Sequence, residues 1–340
     1  MGGMVNNYVI GIEAYDYDGA FQDAASFNQP LEHWDTSNVI SLAHMFHGAK
    51  AFNQPLNAWK TSKVTSLWET FSGAEAFNQP LDKWDTSAVT NMHSTFKDAY
   101  AFDRPLDTWN TSNVTDMSMM FMNAKVFNQP LNNWNTSKVQ DMTQMFKGFN
   151  ESGTVKSAFN QPLNDWDTSN VESMLGMFQS AQYFNQPLNK WNTSKVITMR
   201  AMFNAAASFN QPIDAWNTSN VTDMSSMFMY AFSFDQPLNS WKTSKVKTMD
   251  TMFARTDEFN QPLDKWNVSQ VTSMKQMFDH AGKFNMDISG WKLSNTINVQ
   301  DMFLGAGISC EVYKKITDAW QKGDLGLGKG CKDNNQPDDI

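Results

Sequence analysis

Eleven tryptophans divide this chain into near-identical cassettes: Trp34, Trp59, Trp84, Trp109, Trp134, Trp166, Trp191, Trp216, Trp241, Trp266 and Trp291. Consecutive members are 25 residues apart, except that Trp134 and Trp166 are 32 apart. A fixed period of this length marks a solenoid, in which no unit can bury its apolar face alone and each uses its neighbours to do so. This constrains the architecture far more tightly than it constrains a ligand.

Residues 109–133 serve as the type unit. Its apolar positions are Val114, Met117, Met120, Phe121, Ala124 and Phe127. Their offsets of three and one trace one face of a helix, so the spacing predicts a short amphipathic helix in each repeat. Ser112, retained as Ser in every repeat from Ser37 to Ser294, stands where an N-cap belongs. The helix must stop before Pro130. The stretch Leu131 to Thr136 reads as a short strand on which Trp134 and Thr136 share a face. The Thr column becomes Val268 and Leu293 in the last two repeats, replacements that suit a buried site, so Trp and Thr are expected inside. The column between them is Asp, Asn or Lys throughout, and is expected on the exposed face of a parallel sheet. The Phe-Asn-Gln-Pro-Leu segment keeps Asn or Asp at its second position, which predicts a stacked ladder satisfying backbone groups of adjacent turns. The Asx residue after Leu, as in Asn57, Asp82 and Asp107, is expected to make an Asx turn.

Three parts follow. Residues 1–26 read as an N-terminal cap and degenerate half-repeat, with Tyr8-Val9-Ile10 as an edge strand. Residues 27–306 form the solenoid, with a seven-residue insertion within 148–156. Residues 307–340 comprise a capping helix over Glu311 to Gly323, with Val312, Ile316 and Trp320 inward, and a polar tail.

The cassette Trp-x-Thr-Ser-x-Val-x-x-Met-x-x-Met-Phe-x-x-Ala-x-x-Phe-Asn-Gln-Pro-Leu resembles the 25-residue repeat of bacterial surface proteins related to BspA-like leucine-rich repeats. The resemblance covers residues 21 to 306. It implies an α/β repeat fold: a right-handed leucine-rich-repeat-like solenoid with one short parallel strand and one short helix per repeat. It also implies cell-surface or secreted adhesins. Met1 to Ala20 lack the basic and apolar regions of a signal peptide.

The net charge of -9 disfavours phosphate-tracking nucleic-acid binding, and no apolar run is long enough to span a membrane. No nucleophile motif, phosphate loop or zinc pattern occurs, so no catalysis, cofactor or metal is expected. His44 and His47 have a spacing that can bind metal, but no third ligand is evident nearby in the sequence. Cys310 and Cys331, the two cysteines, could form a bridge or remain two thiols. The Met columns run in phase with Val and Phe and belong to the core, whereas Trp68, outside the register, is expected at the surface. The candidate binding surface is the exposed column set containing Lys60, Lys63, Asp85, Lys138, Lys195, Lys242 and Lys245. From the fifth repeat onward Lys alternates with Asn before Val, a pattern that suits acidic groups along a partner or follows from duplicated repeat pairs. The expected function is a non-catalytic binding or adhesion module for a protein or glycan. The alternatives are a structural protein assembling into a layer or filament and, more remotely, an ice-binding surface made of the Thr ladder.

Overall fold

A computed structural model describes residues 15–16, 18–148 and 157–327. The expected edge strand at Tyr8-Val9-Ile10, residues 149–156 of the segment that holds the insertion, Cys331 and the polar tail lie outside the described residues. The remainder is one continuous stack of 25-residue coils. β1 (Tyr15–Asp16) pairs in parallel with β2 (Val39–Ser41). From Ser41 a column of single parallel bridges continues through Ser66, Asn91, Asp116, Asp141, Ser173, Thr198, Asp223, Thr248 and Ser273 to Asn298. The enlarged step is absorbed without a break, because Asp141 pairs with Ser173 and the Trp134 and Trp166 rings still stack at 6.4 Å.

The helix expected in each repeat is absent from the described repeats. In the type unit, alternate amides leave their own coil: Met117, Met119, Phe121 and Asn123 donate to the carbonyls of Asp141, Thr143, Met145 and Lys147 in the next repeat. The intervening amides of Met120, Met122 and Ala124 close β-turns onto the carbonyls three residues back, at Met117, Met119 and Phe121. An α-helix would instead send each amide four residues back within its own segment. Met119 and Asn123 take φ of 56° and 59°, which a right-handed helix forbids. The same two columns are left-handed in nearly every coil, from His44 and Gly48 to Asp301 and Gly305. At Gly48 and Gly73 the column uses the residue that adopts this conformation without steric cost.

Spacing explains why turns displace the helix. Parallel-bonded segments lie about 4.8 Å apart, whereas packed helices need roughly 8–10 Å between axes. Successive Phe rings of the Phe46 to Phe303 column are 5.5–5.8 Å apart, too close for a helix in every layer. The inward assignments survive the change of backbone. Val114, Met117, Met120, Phe121, Ala124 and Phe127 are all buried, as are the repeat Trp rings from Trp59 to Trp291, Trp68 lying outside that column. Consecutive β-turns carry side chains inward at the same offsets as a helical stripe.

The strand is also displaced from its expected position. No bridge forms at Leu131 to Thr136; the ladder runs two residues beyond each Val, at Asp141 in this repeat. The buried Thr column links coils through its side chains. Thr61, Thr86 and Thr111 donate their hydroxyls to the carbonyls of Asp85, Asn110 and Asn135 one coil ahead. These hydroxyls face the interior, so this column is not an ice-binding surface. Ser112 does not cap a helix; its amide donates to Asn110 Oδ1 at 3.1 Å, closing an Asx turn. The Asx residue after Leu, expected to close such a turn, bonds between coils instead: Asn57 Oδ1 accepts from the Lys83 amide and Asn57 Nδ2 donates to Asp82.

The Asn ladder forms as the sequence predicts. Asn160 Oδ1 accepts the Asn185 amide at 3.0 Å and Gln186 Nε2 at 3.1 Å. The pattern repeats at Asn28, Asn53, Asp103, Asn128, Asn185, Asn210 and Asp235. Only an acceptor oxygen is used, which is why Asp103 and Asp235 serve as well as Asn. Each buried indole from Trp59 to Trp291 donates Nε1–H to a Leu or Ile carbonyl of the preceding coil, at 2.8–3.1 Å.

The stack is covered at its far end by α1 (Cys310–Trp320), capped by Ser309 Oγ accepting from the Val312 amide. Tyr313 and Ile316 are buried, while Val312 and Trp320 pack at the core margin. The Trp320 ring continues the indole column, 6.2 Å from Trp291. Lys315 pairs with Asp287 of the last coil. That contact, with the Ser289 hydroxyl and amide, holds the Asp287 carboxyl down to about 2.

These contacts can be tested singly. Asn160→Ala removes the acceptor for two donors and should cost about 1–3 kcal/mol in denaturant unfolding, whereas Asn160→Asp should be nearly neutral. Equal losses in both variants would contradict the acceptor role. Asp287 has a folded pKa below its ordinary value near 3.9, so its contribution is present above about pH 4 and disappears as the pH falls toward 2. The thermal midpoint of the protein should therefore exceed that of Asp287→Asn at pH 5 and converge with it near pH 2. A gap that does not change with pH would contradict the pairing.

Candidate recognition surface

The expected binding residues lie on the Trp-Asx-Thr-Ser-x-Val turn rather than on a sheet. Burial of Trp and Thr leaves the residue between them no direction but outward, and Lys60, Asp85 and Lys242 are accordingly exposed. The Lys60 and Lys242 amides are fixed from the preceding coil by Thr36 and Thr218 Oγ1, at 2.7 and 2.9 Å. Asp85 accepts from Ser87, whose hydroxyl and amide hold the Asp85 carboxyl below its usual range. Lys60 and Asp85 share a shallow groove of about 500 Å³ with Asn57, Ser62 and Lys83. Lys242 lines two similar grooves, one of them with Asn239, Ser244, Lys265 and Asn267. The grooves are open indentations over the Trp59, Trp216 and Trp241 indoles, without the enclosure that small-ligand sites provide.

Lys63, Lys138, Lys195 and Lys245 are also exposed, but each is engaged. Their ammonium groups donate to the Oδ1 atoms of Asn38, Asn113, Asn170 and Asn220 one coil earlier, at 2.6–2.7 Å. Asn113, Asn170 and Asn220 in turn donate Nδ2–H to the carbonyls of Ser87, Ser137 and Ser194 in the coil before their own. The Lys–Asn alternation along the stack is thus a hydrogen-bonded pairing of neighbouring coils. It orients the lysines in a row without removing their charge from solvent.

Periodicity in the sequence does not point to the surface beside the true ladder. One residue beyond each Val the column reads Ile40, Thr65, Thr90, Thr115, Gln140, Glu172, Ile197, Thr222, Lys247 and Thr272, all exposed except the half-buried Thr222. Several of these threonines donate to the carbonyl of the residue one coil back, for example Thr90 to Thr65. Trp68 is exposed, as its position outside the register predicts. Among the described residues, the one group of three His, Cys, Asp or Glu side chains placed to hold a metal ion is His44, His47 and Glu69. Glu69 is a third ligand that is not evident along the chain, because it lies one coil away. Cys310 opens α1 in a half-buried position. No helix of the described residues is long and apolar enough to cross a membrane.

No curated protein is significantly similar to the chain. Among solved structures, a crystal structure of a TLR13–ssRNA13 complex is similar at 10% identity and a TM-score of 0.27, over 79% of this chain and 41% of that one. The chain therefore spans less than half of that protein's length. An LRR protein of Leptospira interrogans is similar at 8% identity and a TM-score of 0.18, over 84% of this chain and 75% of that one. Both overlaps are too loose to define the architecture, which rests on the chain's own ladder. Four overlapping matches, over residues 12–83, 57–154, 149–259 and 211–316, place this repeat chain in the family described as Mycoplasma protein of unknown function, DUF285.

Proposed function

We propose that the chain is a non-catalytic binding module that presents an extended repeat surface to a protein or glycan at a cell surface. The observation carrying this reading is the contrast between an interior that keeps the same or similar residues in most columns and an exposed turn face whose charges change from coil to coil. The Trp column repeats without change and the main Phe column does so from Phe46 to Phe303, whereas the outward position after Trp runs through Asp35, Lys60, Asp85, Asn110 and Lys242. A rigid scaffold bearing a variable exposed row is the arrangement repeat proteins use for recognition along an extended ligand. The cell-surface location rests on the resemblance of the cassette to BspA-like surface repeats. The net negative charge supports a partner other than nucleic acid.

Assembly into a layer or filament is the second reading. Packing of α1 over the last coil, with Tyr313 against Phe303 and Trp320 over Trp291, disfavours stacking through that end and so favours the binder.

Binding of the labelled protein to glycan and extracellular-protein arrays at two salt concentrations tests the proposal. A partner should bind more weakly at high salt and lose about tenfold or more in a Lys138→Glu, Lys195→Glu, Lys245→Glu variant, because exposed charges at an interface act through screened attraction. Absence of any partner, together with scattering that grows with concentration, would overturn the binder in favour of assembly.

A further inference from the structure

His44 and Glu69 occupy equivalent positions in successive coils, and both take left-handed backbone, with φ of 55° and 53°. The ladder bond from the His44 amide to the Trp68 carbonyl, 2.8 Å long, locks these coils in register. His47, one turn after His44, projects to the same place. Glu69 Oε2 lies 3.3 Å from His44 Nδ1 and 2.8 Å from His47 Nδ1. One ligand atom from each of the three residues falls within 4.8 Å of the others. The side chains are 26%, 32% and 19% exposed, so the cluster is recessed yet open on one side. The Trp68 ring, 4.5 Å from that of His44, flanks it.

Two features separate this cluster from an ordinary surface ion pair. His47 Nδ1 is shielded from solvent and completes no hydrogen bond, although the Glu69 carboxylate stands 2.8 Å away. Two electron-rich atoms at that distance repel unless a proton or a metal ion lies between them, and the geometry is not that of a hydrogen bond. In addition, a tetrahedral zinc ion with bonds of 2.0–2.1 Å sets its ligands about 3.4 Å apart, close to the 3.3 Å His44–Glu69 separation, while the 2.8 Å His47–Glu69 pair would open slightly to admit the ion. The repeats that follow do not reproduce this set: the corresponding positions are Ser94 and Lys97, Met119 and Met122, then Gln144 and Lys147. The cluster is therefore a local addition to the scaffold and not a by-product of the repeat.

We propose that His44, His47 and Glu69 form a binding site for a divalent transition-metal ion of the zinc class, with an open fourth position facing solvent. Two imidazoles and one carboxylate suit zinc, cobalt, nickel or copper, whereas calcium and magnesium require more oxygen ligands. The site joins two adjacent coils, so the bound ion clips them together. It stands independently of what the turn face recognises.

The test uses the tag-free full chain after chelator treatment, titrated with Zn²⁺ by calorimetry and with Co²⁺ by visible absorption. One ion per chain is expected, with cobalt bands of tetrahedral type. His47→Ala and Glu69→Gln should each weaken binding by about tenfold or more, and His44→Asn should do the same while keeping a residue tolerant of positive φ. His280→Ala, which alters a histidine beside Asp279 elsewhere in the stack, should leave binding unchanged. Metal-free thermal midpoints identify any variant that fails to fold, in which case the remaining substitutions decide. No saturable zinc binding, binding retained in the folded variants, or equal competition by millimolar Ca²⁺ would each overturn the proposal.

Discussion

The hydrogen bond from one coil to the next governs this structure. It brings successive coils to a separation near 4.8 Å, and at that separation a helix in every layer has no room. Turns take its place, and turns that alternate between closing on themselves and bonding to the next coil require left-handed residues at fixed positions. A non-glycine residue in that conformation costs roughly 1–2 kcal/mol; the ladder offsets this by satisfying backbone groups that would otherwise be buried unpaired. Close stacking also selects identical residues in each column. Phe lies on Phe and Trp on Trp, with each indole N–H aimed at the preceding coil.

The surface inherits this regularity. Because Trp and Thr are held inward, the residue between them is presented outward in every coil, and its identity is free to vary without disturbing the interior. The lysine row is a partly structural feature, each ammonium tied to an Asn one coil away while remaining exposed. The same stacking turns two histidines on one coil and a glutamate on the next into a single cluster. Function on such a scaffold comes from what register brings together between coils.

The sequence discloses which residues are inside and leaves their backbone hidden. The period, the apolar columns, the buried Trp and Thr and the Asn ladder are all readable, because burial and acceptor chemistry leave a mark at each position. The backbone between Val114 and Phe127 reads as a helix because a chain of β-turns places apolar side chains at the same offsets. One contrary signal is present in the first half of the stack: there the column Asp23, Gly48, Gly73, Asp98, Asn123 holds the residues most at ease with positive φ, whereas Ser180, Ala205, Tyr230 and Arg255 continue it without that mark. A left-handed residue at every 25th position is incompatible with a helix crossing it. The ladder position is hard to read for a related reason. Ser66, Asn91 and Asp116 are polar residues that pair through single bridges, and such residues carry little strand signal. Glu69 is invisible as a partner of His44 and His47 because the register that joins them is a property of the stack.

Small-angle scattering of the monomer tests this stacking most directly. The steps from Trp34 to Trp291, at about 4.8 Å each along the ladder and 6.2–6.4 Å between stacked indoles, give a stack roughly 50–65 Å long before its ends are added. Layers containing helices would need roughly 8–10 Å per step on the helical side, giving a body of about 80–100 Å along that side. A compact rod of the shorter length is the predicted result. An elongated particle of the longer dimension would contradict the account of close-stacked, hydrogen-bonded turns.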